Sequence, residues 1–256
     1  MAKVNVIVLR GPGTNCDGET AYAFQQVGAV PSLVHVNQLI RRERRLSDYQ
    51  ILVIPGGFTY GDDIAAGRVL ANELKVKLGE DILQFVTHGG LILGICNGFQ
   101  VMVKAGILPD IRNPESARMT LANNDSGKFE CRWTHLRVEK KSPCVFTQGM
   151  DSLYLPVAHG EGKVVTDLRG LREINAALYY ADPNGNVQAG YPHNPNGSMS
   201  NIAGVCDPTG RIFALMPHPE RHIRFTQHPQ WTRRKPKDFG DGLPIFQNAV
   251  KFAKTK

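Results

Sequence analysis

The sequence predicts an α/β fold: an open, mostly parallel central sheet flanked by helices, with an antiparallel extension in the second half. Three observations predict it. Short apolar runs at residues 4–9, 51–54 and 91–93 read as strands buried on both faces. They alternate with helical patterns, which implies parallel neighbours joined through βαβ units. After Pro109 the texture changes to β-branched and aromatic residues broken by turn signals such as Asn123-Asn124-Asp125 and Ser126-Gly127, which favours antiparallel strands.

Residues 4–9 open the sheet and run into a Gly/Pro turn at 10–15. Asp17 is placed to cap the next helix, whose apolar face includes Ala21, Phe24 and Val27, and Gly28 ends it. Residues 32–36 read as a second strand and 37–46 as a polar, helical connection. Residues 51–54 form a third strand closed by Pro55-Gly56-Gly57. Helices are expected within 64–78 and 81–87. The run from Leu91 makes a fourth strand, and Phe99 to Ala105 favours a short helix ended by Gly106 and Pro109. In the second half, antiparallel strands are expected within 119–138, residues 153–165 contain the run Pro156-Val157-Ala158-His159-Gly160-Glu161-Gly162, and turns fall at 182–186 and 194–197. Residues 202–206 and 211–216 read as a hairpin across Asp207-Pro208-Thr209-Gly210. A polar, Pro-bearing surface loop covers 227–242, and a closing helix 243–256. The whole of 1–256 reads as one domain, without internal repeats.

Composition narrows the class. Hydrophobic residues make up 42% and charged residues 21%, values of an ordinary globular chain with room for a large core. The five cysteines, at 16, 96, 131, 144 and 206, are odd in number and widely spaced, with no CxxC. That argues against a disulfide framework or a zinc site and for a reducing, cytoplasmic setting. The apolar part of residues 1–9 is too short for a secretory signal, and no run has membrane-spanning length. The net charge of +7 is dispersed. Its densest runs, 41–45 and 233–237, lack interleaved aromatics and read as solvated faces rather than a nucleic-acid surface.

The chemistry centres on Cys96. It falls on a tight turn between a strand and a helix, with Gly94 and Gly98 two residues to either side. This is the spacing of the G-x-S-x-G nucleophile elbow with sulfur in place of oxygen. The small flanking residues let strand and helix approach closely and leave the side chain exposed. The helix start brings free N–H groups and positive partial charge near the sulfur, which favours the reactive thiolate. A structural cysteine beside a turn is the bland alternative. The loops at 11–15, 56–63 and 94–98 all fall at carboxyl ends of strands, where ligands bind in open sheets. The first is neither G-x-G-x-x-G nor a P-loop, which argues against a nucleotide site.

A cysteine nucleophile needs a base, and the base an orienting group. His218 is best placed among eight histidines, because a strand ending at Met216 runs into Pro217-His218-Pro219-Glu220. The prolines stiffen the segment. Glu220 can bind one imidazole nitrogen and leave the other facing sulfur. For an oxyanion, backbone N–H groups at Asn97 and Gly57 are the candidates. His159 and Glu161 could be functional or structural. Cys16, Cys131, Cys144 and Cys206 lack an elbow and read as structural.

Residues 94–100 (GICNGFQ) with Pro217-His218-Pro219-Glu220 resemble the class I, or triad, glutamine amidotransferases, which implies a flavodoxin-like sheet. Residues 11–17 (GPGTNCD), 55–63 (PGGFTYGDD), 158–162 (AHGEG) and 216–221 (MPHPER) narrow the resemblance to one branch of that family. Its glutaminase subunits pass ammonia to an ATP-dependent ligase of purine biosynthesis. The resemblance covers nearly the whole chain. It implies that Cys96 attacks the side-chain amide of L-glutamine, that His218 moves the proton and that Glu220 orients His218. Gly57 and Asn97 would stabilise the oxyanion, and Phe58, Gln100, His159 and Gly160 would hold the amino-acid end of glutamine. It implies no cofactor or metal on this chain. ATP and magnesium, with the formylglycinamide ribonucleotide, would bind a partner synthetase subunit, with or without a small accessory subunit. Neither nucleic acid nor membrane is an expected partner. The tail after Arg221 is longer than a compact subunit needs and is similar to that of the glutaminase domain in large single-chain enzymes.

On the residues alone two other readings stay open. One is another cysteine hydrolase on a similar sheet, peptidase-like or deglycase-like, against which Asn97 in place of a histidine after the cysteine counts. The other is a basic binding module with a structural cysteine.

Overall fold

The computed structural model describes residues 3–114 and 119–255. Its elements run β1 (Asn5–Arg10), α1 (Asp17–Gln26), β2 (Val30–His35), α2 (Val36–Ile40), β3 (Ile51–Ile54), α3 (Arg68–Thr87), β4 (Leu91–Ile95) and α4 (Asn97–Lys104). The second half adds β5 (Met119–Asn123), β6 (Glu130–Val138), β7 (Ser152–His159), β8 (Glu161–Thr166), α5 (Leu168–Glu173), β9 (Asn175–Ala181), β10 (Ile202–Cys206), β11 (Ile212–Leu215) and α6 (Leu243–Ala253).

Nine strands form one sheet in the order β2-β1-β3-β4-β11-β10-β9-β6-β7. The pairs from β2 through β11 are parallel, and those from β11 through β7 antiparallel. The expected mixed sheet is therefore present. β3, β4, β10 and β11 are buried along their whole length, as their unbroken apolar runs require. Helices flank the sheet. The rings of Phe24 on α1 and Phe246 on α6 meet edge to face, with centroids 5.0 Å apart.

The placement of β11 positions the site. This late strand lies parallel to β4, with Leu215 opposite Ile95. On the other side of β4, Ile54 of β3 lies opposite Gly94. The three strands end level, so Gly56, Cys96 and the segment after Met216 leave the sheet together at one edge.

Several details differ from the sequence expectations. The two helices expected within 64–87 are one, because the buried positions Leu70, Leu74, Leu78, Ile82 and Phe85 keep helical spacing through Gly79. Asp17 does not cap α1; Cys16 occupies the cap position, and the Asp17 carboxylate pairs with Arg10 Nε at 2.6 Å. β5 leaves the main sheet and pairs antiparallel with β8. β7, β8, α5 and β9 have no counterpart among the elements expected from the sequence. Of the loop 227–242, residues 229–239 are exposed as expected. The closing helix ends at Ala253, and Lys256 of the expected span lies outside the described residues. Among the described residues no helix is long and apolar enough to cross a membrane.

Candidate active site

Cys96 occupies the bend between β4 and α4 at φ 51°, ψ −105°, a left-handed backbone for a residue with a side chain. Such a conformation costs about 1–3 kcal/mol and persists only where its surroundings hold it. Here the Cys96 N–H donates to Leu215 O at 2.8 Å, and its carbonyl accepts from the N–H groups of Phe99 and Gln100. The bend also depends on Gly98, where a Cβ would stand 1.9 Å from the Ile54 carbonyl oxygen. The elbow spacing thus produces the elbow. Contrary to the expected exposure, Cys96 is only 5% accessible, and its sulfur lies 3.7 Å from Ala158 O.

His218 follows β11 directly, and its N–H donates to Pro156 O on β7 at 2.8 Å. Its Nδ1 lies 2.6 Å from Glu220 Oε1, with both side chains closed to solvent. This bond makes Nδ1 the donor and leaves Nε2 free of any hydrogen-bond partner among the described residues. The sulfurs of Cys96 and Cys16 both face the ring. Burial pulls the imidazole down, but the Glu220 carboxylate and the two sulfurs outweigh it and hold His218 well above the ordinary histidine range. The ring is therefore a ready proton carrier beside Cys96.

The Cys16 sulfur, a His218 ring nitrogen and a Glu220 oxygen lie within 4.8 Å of one another, a group that could meet a metal ion. The 2.6 Å imidazole–carboxylate contact is instead a hydrogen bond, the arrangement of a proton relay.

Asn97 follows Cys96 directly, and Gly57 follows Gly56, where a Cβ would stand 3.5 Å from Cys96 Cβ. Asn97 is the first residue of α4, where an N–H has no partner within the helix. The backbone N–H groups of both residues are without hydrogen-bond partners among the described residues. The Asn97 side chain is fully employed. Its oxygen accepts from Thr59 N (3.2 Å) and Thr59 Oγ1 (2.7 Å), and its nitrogen donates to Gln100 Oε1 at 2.8 Å. It thereby pins a loop in which Tyr60, Gly61 and Asp62 all have positive φ.

The remaining expected residues fall around this centre in different ways. Phe58 is 47% exposed, and its ring lies 6.5 Å from that of the exposed Phe129, beside Gly160. Gln100 is buried and bonded at both ends, to Asn97 and to the Glu161 carbonyl. His159 is buried with Nδ1 on Asn124 Oδ1 at 3.1 Å and Nε2 without a partner among the described residues. Burial, aided by the charge on His218, lowers it to about 4, so it is neutral at physiological pH. Glu161 pairs with Lys104 Nζ at 2.5 Å.

Sequence reasoning missed Cys16, Arg221 and Tyr180. Arg221 Nη2 donates to Cys16 Sγ at 3.1 Å. Tyr180 is fully buried, its phenol is pushed up by that burial, and Cys96 adds to the effect. An open cavity of about 890 Å³ lined by Arg42, Arg44, Arg45, Tyr49 and His88 lies at the amino ends of β3 and β4, the edge away from Cys96.

The chain resembles known proteins over nearly its whole length. A family model described as the CobB/CobQ-like glutamine amidotransferase domain matches residues 3–253. The chain is 55% identical to phosphoribosylformylglycinamidine synthase subunit PurQ of Dehalococcoides mccartyi, over 99% of each chain. It is 42% identical to the subunit of that name from Methanococcus maripaludis, over 96% of each. A solved structure, PurLQS from Thermotoga maritima, superposes with a TM-score of 0.76 at 32% identity, covering 98% of this chain and 99% of that one. Because the first match spans both chains, the tail after Arg221 lies within a length that a subunit relative shares, and does not set this chain apart.

Proposed function

We infer from its membership that this chain, which belongs to the CobB/CobQ-like glutamine amidotransferase domain family, is the glutaminase subunit of phosphoribosylformylglycinamidine synthase. It works on L-glutamine within an enzyme complex, and its partner is the synthetase subunit. The site assignments are our reading, and one observation carries them. The ends of β3, β4 and β11 gather a strained cysteine, a buried imidazole–carboxylate pair and two free N–H groups at one edge.

In this reading His218 Nε2 takes the Cys96 thiol proton, and the thiolate attacks the side-chain amide carbon of glutamine. The N–H groups of Gly57 and Asn97 bind the oxyanion as the tetrahedral adduct forms. The adduct collapses, His218 returns the proton to the departing nitrogen, and ammonia leaves. Water then attacks the thioester and gives its proton to His218, and glutamate departs as the thiolate is regenerated. Glu220 holds the ring in the tautomer that this requires. Phe58, Gly160 and neutral His159 form the wall nearest the amino-acid end, with Gln100 shaping it from behind. Residues 1–256 act as one amidotransferase domain. No cofactor is assigned to this chain; ATP and magnesium belong to the synthetase subunit. A cytoplasmic location is the setting that suits free thiols and this biosynthetic role.

The test uses the assembled complex. Cys96→Ala should abolish glutamine-dependent synthesis and leave ammonia-dependent synthesis intact. Full glutamine-dependent activity in that variant would overturn the assignment.

A further inference from the structure

Cys16 has no part in the chemistry above, yet it touches both halves of the site. Its backbone N–H donates to Gly56 O at 3.2 Å, and Phe58 N–H donates to Gly13 O at 3.0 Å. These two bonds clamp the Gly56–Gly57 loop onto the loop before α1. Its sulfur approaches the same glycine. A Cβ on Gly56 would stand 3.0 Å from Cys16 Sγ, 2.9 Å from His218 Cε1 and 3.5 Å from Cys96 Cβ. The sulfur accepts from Arg221 Nη2 at 3.1 Å and donates to Asn15 Oδ1 at 3.1 Å. Arg221 is held in turn by Glu19 of α1, at 2.9 Å from its Nε.

We propose that Cys16 is a positioning residue for this reaction: it fixes the His218 ring against the Gly56–Gly57 loop and ties the Pro219–Arg221 turn to the start of α1. The inference rests on the reading given above. It follows from contact. One residue bonds the oxyanion loop through its backbone and packs against the base through its side chain, while 1% exposed. Cys16 is not a second nucleophile. Burial pushes its thiol up, so it remains S–H and leaves the imidazole to Cys96. A displaced ring loses alignment with the Cys96 sulfur, and misplacement on the scale of about 1 Å is worth ~10²-fold in rate.

The charged and titratable groups facing His218 come from four places in the chain. They are Cys96 at the elbow, Cys16 before α1, His159 on β7 and Glu220 after β11, with Tyr180 of β9 reaching Cys96 and Arg221 reaching Cys16 and Glu220 behind them. Replacing Cys16 should therefore alter the pH profile as well as the rate. In the assembled complex, Cys16→Ala should lower glutamine-dependent kcat about 10- to 100-fold, with KM within about threefold. The acid limb of its kcat/KM profile should move, and ammonia-dependent synthesis should hold. Cys16→Ser, which keeps a hydrogen-bonding group, should restore kcat to within about threefold of wild type. An alanine variant with wild-type kcat and pH profile would overturn the proposal. So would an equal loss in the ammonia-dependent reaction that serine does not rescue. If the wild-type complex itself used ammonia but not glutamine, the glutaminase reading would fall first, which separates the two failures.

Discussion

His218 Nδ1 and Glu220 Oε1 are 2.6 Å apart and sealed from water, so the imidazole and the carboxylate form one buried unit. In the reaction proposed above the carboxylate does two things. It selects the Nδ1–H tautomer, which aims Nε2 at sulfur, and it stabilises the imidazolium that forms during each proton transfer.

Glu220→Gln should remove the second effect and disturb the first. We expect glutamine-dependent kcat to fall at least about 100-fold, with ammonia-dependent synthesis unchanged. Steady-state assays with the two nitrogen sources check it. A loss below about threefold would show that Glu220 does not support the base.

Gly98→Ala should be among the most damaging single-methyl additions in the chain. The new Cβ would meet Ile54 O at 1.9 Å, and neither β3 nor the start of α4 can retreat without unpairing buried backbone. Destabilisation above about 3 kcal/mol, or failure to accumulate folded, is expected. Denaturant unfolding against wild type measures it, and a change under about 1 kcal/mol would mean that the strand–helix approach is looser than described.

Asn97→Ala removes the acceptor for both donors of buried Thr59. Leaving such donors unmet should destabilise the protein by about 2 kcal/mol. The loop carrying Phe58 and the left-handed Tyr60–Asp62 stretch should loosen, raising the KM for glutamine more than it lowers kcat. The backbone N–H of residue 97 is retained, so a pure kcat defect with unchanged KM would contradict the role given to this side chain.

His159 makes stability depend on pH. Its folded pKa, about 4, lies below the ordinary 6.5, chiefly through burial. Between those values the unfolded chain binds a proton that the folded chain does not, so stability falls as pH drops from about 6.5 toward 4. At pH 5 the loss relative to pH 7 is about 2 kcal/mol. His159→Gln should lack this component and lose about 2 kcal/mol less than wild type over that interval. His135, His222 and His228 are also lowered by burial, but they titrate in both proteins. Equal losses in the two would show that His159 is accessible to protons in the fold.

Features that depend on nearby residues were legible in the sequence. The elbow could be read because small residues at fixed offsets from Cys96 are what a tight strand-to-helix bend needs. His218 could be read because a buried strand runs into it between prolines. What escaped was set by partners far along the chain. Asp17 looked like a cap, but Arg10, leaving β1, captures its carboxylate. Residues 64–78 and 81–87 looked like two helices, yet the buried stripe of α3 continues across Gly79 and joins them. Cys16 looked isolated because Arg221 and His218 reach it only when β11 inserts beside β4. The glycine loop at 56–57 is set on the other side, by the pairing of β3 with β4.

The most direct measurement looks for the covalent intermediate. The complex is mixed with glutamine, quenched in acid during turnover, digested and analysed by mass spectrometry. A glutamyl thioester on the peptide carrying Cys96, accumulating when deacylation is slowed and absent from Cys96→Ala, is the predicted result. A glutamyl adduct on any other cysteine, or ammonia release by the alanine variant at the wild-type rate, would contradict the account.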